Sequence, residues 1–300
     1  MAALTFATYD VFTDTAFAGN PLAVVFDADA LSDDAMQHIA REFNLSETTF
    51  VRRATSEHHS ANVRIFTPAR ELPFAGHPTI GTAIALAEAQ YGRGDARDVL
   101  LVLEEKVGPV RCAVKLDGGE ASFAEFDAPK LAAEAGPGGT DAAAAAALGL
   151  DVREIGFDHH VPSFFDAGVP YAYVPVANLE ALARAYPTTA CTADALGVDE
   201  VYVYARAPRD ASHAFRARMF APQFGIMEDP ATGSAAAGFA GVAAKFEGFG
   251  DGWTQLPILQ GVEMGRPSLI GLEIELTGGT LSGARISGQA VKMSEGKILI

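Results

Sequence analysis

The chain has 300 residues, 49% hydrophobic and 20% charged, enough for two packed cores and too apolar for a disordered chain. Its 38 acidic residues against 22 basic ones give a net charge of −16 with no basic cluster, which excludes nucleic acid as a partner. The two cysteines, Cys112 and Cys191, exclude a disulfide scaffold, and no apolar run approaches the roughly 18–20 residues that span a bilayer. MAALTFATYD has neither the basic nor the long apolar region of a signal peptide, so a cytoplasmic protein with no membrane partner is expected.

In chain order, Leu4–Val11 and Pro21–Phe26 read as strands around a Gly-Asn-Pro turn. Ser32 caps a predicted helix from Asp33 to Phe43, with Met36, Ile39, Ala40 and Phe43 on its apolar face. Strands follow at Glu47–Val51 and Asn62–Phe66, then a helix at Thr79–Gln90. Three more strands read at Val99–Leu103, Gly108–Leu116 and Glu120–Phe126. Ala128–Thr140, rich in Gly, Pro and Ala, is the predicted linker. Beyond it come a helix at Asp141–Leu148, ended by Gly149, and strands at Ser163–Phe165 and Ala172–Val176. A helix over Asn178–Ala185 precedes strands at Val201–Ala205 and Ala214–Phe220 and a helix at Ala235–Glu247. The tail reads as three strands, Leu269–Leu276, Gly279–Ser287 and Lys297–Ile300. Trp253 and the phenylalanines are expected in the core. The architecture is α+β with mostly antiparallel sheets. The expected divisions are residues 1–127, 128–285 and a terminal strand, 286–300, that packs back on the first half.

The sequence also repeats itself. Arg64-Ile65-Phe66-Thr67-Pro68 returns as Arg218-Met219-Phe220-Ala221-Pro222, and Gly76-His77 leading to Gly81 returns as Gly233-Ser234 leading to Gly238. Gly19-Asn20-Pro21-Leu22-Ala23 likewise returns as Gly168-Val169-Pro170-Tyr171-Ala172. Two matched pairs in the same order imply duplicated halves of about 150 residues, a usual domain size.

Each half carries a Gly-rich turn running into a small-residue helix. Such a turn leaves backbone N–H groups without partners, and the helix dipole favours an anion there. Gly76, Thr232 and Gly233 are therefore candidate substrate-binding residues, and a small anionic metabolite is the expected partner despite the acidic surface. His77, within Phe74-Ala75-Gly76-His77-Pro78-Thr79, is either a simple helix cap or a functional group. Asp229 and Ser234 belong to the matching segment Glu228-Asp229-Pro230-Ala231-Thr232-Gly233-Ser234-Ala235. Glu47 stands at the head of an apolar strand, before Phe50-Val51, where desolvation would raise its pKa toward the range useful for proton transfer. His58-His59 and His159-His160 lack flanking ligands at useful spacing, so no metal is expected. Dinucleotide, Walker and Gly-x-Ser-x-Gly fingerprints are absent.

The segments Asp14–Val24, Asn44–Val51, Arg64–Gly81, Glu228–Gly238 and Gln260–Ser268 together resemble the PhzF-like proteins, the phenazine-biosynthesis isomerase family of the diaminopimelate epimerase-like superfamily. The resemblance spans nearly the whole chain in order. It implies two pseudo-symmetric domains, each a curved sheet wrapped around a central helix, with the active site between them. It also implies cofactor-independent chemistry and a homodimer. Carried over residue by residue, the family's catalytic Glu is Glu47, its Gly-His-Pro-Thr histidine is His77, and its Asp-Pro-Ala-Thr-Gly-Ser aspartate and serine are Asp229 and Ser234. Racemases of the superfamily place a cysteine base in each turn, where this chain has Ala75 and Thr232. A two-thiol racemase is thus disfavoured. The expectation is an isomerase shifting a proton through Glu47. A racemase or epimerase with other bases and a non-catalytic binding protein remain the alternatives.

Overall fold

The computed structural model describes residues 3–118, 121–188 and 196–300. The chain divides into two compact units, Met1–Pro129 with Ser287–Ile300, and Lys130–Ile286.

In the first unit, β1 (Ala3–Val11) and β2 (Asn20–Val25) form an antiparallel hairpin that brings Asn20 opposite Val11. Ser32 then caps α1 (Asp33–Phe43), its side chain accepting the Ala35 N–H at 3.2 Å, and Asp33 and Asp34 face the positive end of the helix dipole. Asn44, left-handed at φ 51°, ends the helix. Met36, Ile39 and Ala40 are buried, and Phe43 meets Phe6 edge-on at 5.1 Å. β3 (Glu47–Arg52) returns parallel to β2 and antiparallel to β4 (Ala61–Phe66), and the short β5 (Glu71–Leu72) folds back on β4. α2 (Gly76–Tyr91) follows, then β6 (Arg97–Glu105) parallel to β4, and the meander continues through β7 (Gly108–Leu116) and β8 (Ser122–Asp127). α2 is buried on nearly every side and packs against β1, β2, β3, β6, β7 and β8, as a helix apolar all round must. Gly81 is required there: a Cβ would stand 2.5 Å from Leu22 Cδ2 and 2.8 Å from Val11 Cγ2.

The second unit repeats the plan. After β9 (Ala133–Glu134) and α3 (Asp141–Leu148), β10 (Ser163–Asp166) and β11 (Pro170–Pro175) form a hairpin. α4 (Leu179–Arg184) leads on to β12 (Val201–Arg206), parallel to β11 and antiparallel to β13 (Phe215–Ala221), with the short β14 (Ile226–Asp229) turned back on β13. α5 (Gly233–Phe246) fills the core, and after β15 (Gly252–Gln255), β16 (Ile258–Gln260) returns parallel to β13. β17 (Ser268–Thr277) and β18 (Thr280–Leu299) complete the unit. Antiparallel, parallel, antiparallel, short return, helix, parallel: the order of pairings is the same in both units. Gly238 of α5 lies under Tyr173, whose hydroxyl would be 2.0 Å from a Cβ, and that hydroxyl donates to the Ala235 carbonyl. Tyr173, Tyr202, Tyr204 and Phe215 from the strands meet Phe239 of α5, and one another, in tilted and edge-on ring contacts.

The structure departs from the sequence reading in three places. The tail is not broken after Ser287; β18 runs as one strand of 20 residues, and from Ser287 onward it belongs to the first unit, paired with β1. Gly288 and Gly296, which look like breaks, make room for Phe12 and Phe6: ideal Cβ atoms there would be 2.3 and 2.8 Å from those rings. The predicted linker is tied down: Ala133 and Glu134 pair with β10, and Gly138 presses on the Pro162 carbonyl. Trp253 is 48% exposed on β15, with the Arg285 guanidinium 4.8 Å from its ring, so its hydrophobic face is covered by a side chain, not by a core. Cys191 and Glu120 lie outside the described residues; Cys112 is buried and free.

Candidate active site

Glu47 is the first residue of β3 and His77 the second of α2. Two buried hydroxyl bonds tie the elements that carry them: Thr82 Oγ1 donates to Thr49 Oγ1 at 2.9 Å, and Thr49 Oγ1 donates to the Ala23 carbonyl on β2 at 3.4 Å. The result places His77 Nε2 3.4 Å from Glu47 Oε2, with the imidazole 4% and the carboxylate 13% exposed. That contact lies off the line of a hydrogen bond, and Nε2 has no other partner. On the far side of the ring, the Asn20 amide nitrogen is 3.3 Å from Nδ1. The ring is thus held between the Asn20 amide on its Nδ1 side and the Glu47 carboxylate on its Nε2 side. Gly19 makes this possible: at φ +66° it packs against the Val11 carbonyl, 2.4 Å from where a Cβ would be. Burial pushes the His77 pKa down to about 3, against a smaller opposing pull from the Pro21 backbone, so the ring is neutral at pH 7.

His77 is not the cap of α2. Ala75 occupies the N-cap position and no side chain caps the helix; Thr79 Oγ1 reaches back to the Ala75 carbonyl instead. Gly76 is the first helical residue.

In the second unit the corresponding positions form a second polar group. Thr232 is the N-cap of α5, again without a side-chain cap, and Gly233 is the first helical residue. Thr232 Oγ1 donates to Asp229 Oδ2 at 2.6 Å, and its N–H donates to Gln260 Oε1 at 3.2 Å. The Gln260 amide in turn donates to the Asp229 carbonyl at 2.7 Å. Thr232 is thus engaged by hydroxyl and N–H alike. Gly261, at φ +75°, cannot be replaced without meeting the Arg266 and Pro230 carbonyls. The Ser234 and Tyr171 hydroxyls are 2.8 Å apart. Nearby, Tyr202 carries a buried hydroxyl with no hydrogen-bond partner, its pKa raised by burial, then by Tyr171 and Asp229.

The repeated Arg-x-Phe segment has a shared mechanical role. Arg64 stacks on Phe66 (5.4 Å) and grips Glu71; Arg218 stacks on Phe220 (4.9 Å) and grips Glu228 with bonds of 2.9 and 2.8 Å. Both glutamates lie on the short returning strands that lead into α2 and α5. Each arginine therefore pins the approach to one helix N-terminus.

The sequence profile of the phenazine biosynthesis-like proteins, PhzC-PhzF, matches residues 9–296. The chain belongs to this family. An uncharacterized isomerase from Mesorhizobium japonicum is 51% identical over 298 residues, covering 97% of both chains. The trans-2,3-dihydro-3-hydroxyanthranilate isomerase of Pseudomonas aeruginosa is 37% identical over 293 residues, 97% of this chain and 98% of that one. A Bacillus anthracis protein of the PhzF family has a crystal structure that superposes with a TM-score of 0.86 at 26% identity, covering all of both chains. The family and its named isomerases make this chain an isomerase; its two units, each a mostly antiparallel sheet around a buried helix, are the PhzF fold.

Asn20, Tyr171 and Gln260 were not singled out by the sequence, although each sits in a recognisable segment. Asn20 and Tyr171 fall in the paired Gly-Asn-Pro and Gly-Val-Pro segments, and each touches its own half's helix-start residue. Among the described residues no His, Cys, Asp and Glu cluster could hold a metal ion, and no helix is long and apolar enough to cross a membrane.

Proposed function

We propose that the chain is a cofactor-independent isomerase that moves a proton within a small carboxylate-bearing molecule, with Glu47 as the general acid and base. The observation that carries this is the buried Glu47–His77 pair at 3.4 Å with a neutral imidazole. A cationic imidazolium would hold the carboxylate in an ion pair and weaken it as a base. A neutral one does not hold the carboxylate in an ion pair and leaves it free to act as a base. Glu47 takes a proton from carbon and returns it to another carbon of the same molecule, so no external acid or oxidant is needed. His77, Asp229 and Ser234 are assigned to binding and proton relay. Uncapped helix N-termini such as those at Gly76 and Gly233 favour a carboxylate, and Thr232, its N–H held by Gln260, shapes the second of them.

The related Pseudomonas enzyme supplies the first substrate to try, trans-2,3-dihydro-3-hydroxyanthranilate. Turnover in deuterium oxide is expected to place deuterium at the new carbon position. Glu47→Gln is expected to lower the rate by about 10²–10⁴-fold, the usual worth of a general acid–base group. Full turnover by Glu47→Gln would sink the assignment. A racemase acting through two bases is disfavoured because both N-cap positions, Ala75 and Thr232, lack a thiol; inversion without migration of the proton would restore it.

A further inference from the structure

Glu105 closes β6 with its carboxyl group inside the protein, 6% exposed. Its Oε1 is 2.7 Å from Thr79 Oγ1, and its Oε2 has no hydrogen-bond partner. Thr79 Oγ1 is also 2.8 Å from the carbonyl of Ala75, the N-cap residue of α2. A threonine hydroxyl has one proton, and here two oxygens stand ready to accept it. If Glu105 is ionised, the proton serves one of them: either the buried carboxylate goes without a donor, or the Ala75 carbonyl keeps only the Thr79 N–H at 3.2 Å. If Glu105 is protonated, its O–H donates to Thr79 and Thr79 donates to Ala75, and both contacts are made. The neutral acid satisfies the geometry and avoids a buried charge.

We propose that Glu105 is a positioning residue that acts as a neutral carboxylic acid, fixing the turn that carries Gly76 and His77 through the relay Glu105–Thr79–Ala75. Ionisation breaks the relay and sets a negative charge beneath the N–H groups of α2, where an anionic substrate is repelled. The second effect rests on the reading of an anionic substrate at this helix start. Burial raises the Glu105 pKa to about 8, against the pull of the Thr79 bond.

The surrounding charges leave Glu105 to its own titration. On β6, Glu104 is turned toward the Thr55–His59 loop and accepts from Thr55, Ser56 and His59. Lys106 and Arg64 engage Glu71. On β7, burial pushes the pKa of the Cys112 thiol up, so it carries no charge. Asp127 on β8 pairs with Arg111 at 3.1 Å. His77, two residues before Thr79 on α2, is neutral throughout this pH range.

The test compares wild type with Glu105→Gln, whose amide can donate to Thr79 and never ionises. Three readouts are expected. The wild-type minus Glu105→Gln infrared difference spectrum at pH 6 shows the C=O band of a protonated carboxylic acid. Hydrogen exchange at the Gly76–Ile80 amides, corrected for the intrinsic pH dependence, accelerates between pH 7 and 9 in wild type and not in the variant. The alkaline limb of kcat/KM on trans-2,3-dihydro-3-hydroxyanthranilate moves upward by at least one pH unit in the variant. Absence of the infrared band, or identical exchange profiles in the two proteins, overturns the proposal. A variant as inactive as Glu47→Gln at every pH overturns it too, because Glu105 would then be needed as an anion. The first two readouts need no substrate, so failure of the proposed reaction is told apart from failure of the relay.

Discussion

Replacing Arg218 should destabilise the second unit strongly. The side chain is 6% exposed and makes a two-pronged contact with Glu228 at 2.9 and 2.8 Å. Its Nη1 also donates to the carbonyls of Leu182, Ala183 and Ala185 at 3.1, 3.0 and 2.7 Å. Those carbonyls end α4, where a cation meets the negative end of the helix dipole. Arg218→Met keeps the apolar stem on Phe220 but strands the Glu228 carboxylate, which is 14% exposed, and the α4 carbonyls. Breaking a buried pair by removing one partner costs about 3–5 kcal/mol. At roughly 2–4 °C per kcal/mol for a unit of this size, the melting temperature should fall by about 6–20 °C. Trp253 is the single tryptophan and lies in the second unit, so its fluorescence follows the relevant transition. The double variant Arg218→Met/Glu228→Gln should recover part of the loss, because the stranded charge is gone. A fall of less than about 2 °C for Arg218→Met would refute the clamp, since it would put the whole contact below 1 kcal/mol.

Arg64→Met should cost less, roughly 1–3 kcal/mol, because its Asp33 partner is 77% exposed and no helix end rests on it; a circular dichroism melt measures it. Asn20→Ala should release the His77 ring and lower kcat by roughly 5–150-fold, the equivalent of one lost buried hydrogen bond at about 1–3 kcal/mol; a changed melting temperature with unchanged kcat would make Asn20 merely structural. Gly288→Ala drives a methyl to 2.3 Å from the buried Phe12 ring and should destabilise by about 1–3 kcal/mol in chemical denaturation. His77 has a folded pKa of about 3, below its ordinary 6.5. Its contribution to stability is complete above pH 6.5 and is lost as pH falls from 6.5 toward 3, where the unfolded ring binds a proton and the buried one resists. His77→Gln should flatten that part of the stability profile.

The parts of this fold that were legible in the sequence are those with local causes. α1 announces itself through Ser32, the aspartates after it and the spacing of Met36, Ile39 and Ala40, and its observed bounds are those expected. α2 and α5 are visible as runs of small residues with a glycine where a strand presses close. The duplication is visible because a clamp such as Arg218–Phe220–Glu228 needs its residues at fixed spacing along a strand and its return. What was hidden depends on partners far along the chain. Gly288 looks like a turn until Phe12, some 276 positions away, occupies its missing side chain. Trp253 looks like core until Arg285 on β18 covers it. Glu105 looks like an ordinary charge at a strand end; only the packing of α2 shows it sealed under Thr79.

The duplication explains why the two helix starts are equally built and unequally equipped. Both are pinned by an arginine clamp, both are uncapped by side chains, and both receive a partner from the strand after the hairpin turn. In the first unit that partner is Asn20, on the Nδ1 side of a His77 ring that burial keeps neutral beside the Glu47 carboxylate. In the second it is Tyr171, which meets a serine hydroxyl, and the nearby Asp229 is held by the Thr232 hydroxyl at 2.6 Å. The two carboxylates thus stand in different company: Glu47 beside a buried neutral imidazole, Asp229 under a threonine hydroxyl. If proton removal were shared evenly between the two units, Glu47→Gln and Asp229→Asn would cost comparable factors. The unequal equipment of the two helix starts leads to the opposite expectation: Glu47→Gln slows exchange of substrate hydrogen with deuterium oxide by about 10²–10⁴-fold, while Asp229→Asn raises KM more than it lowers kcat.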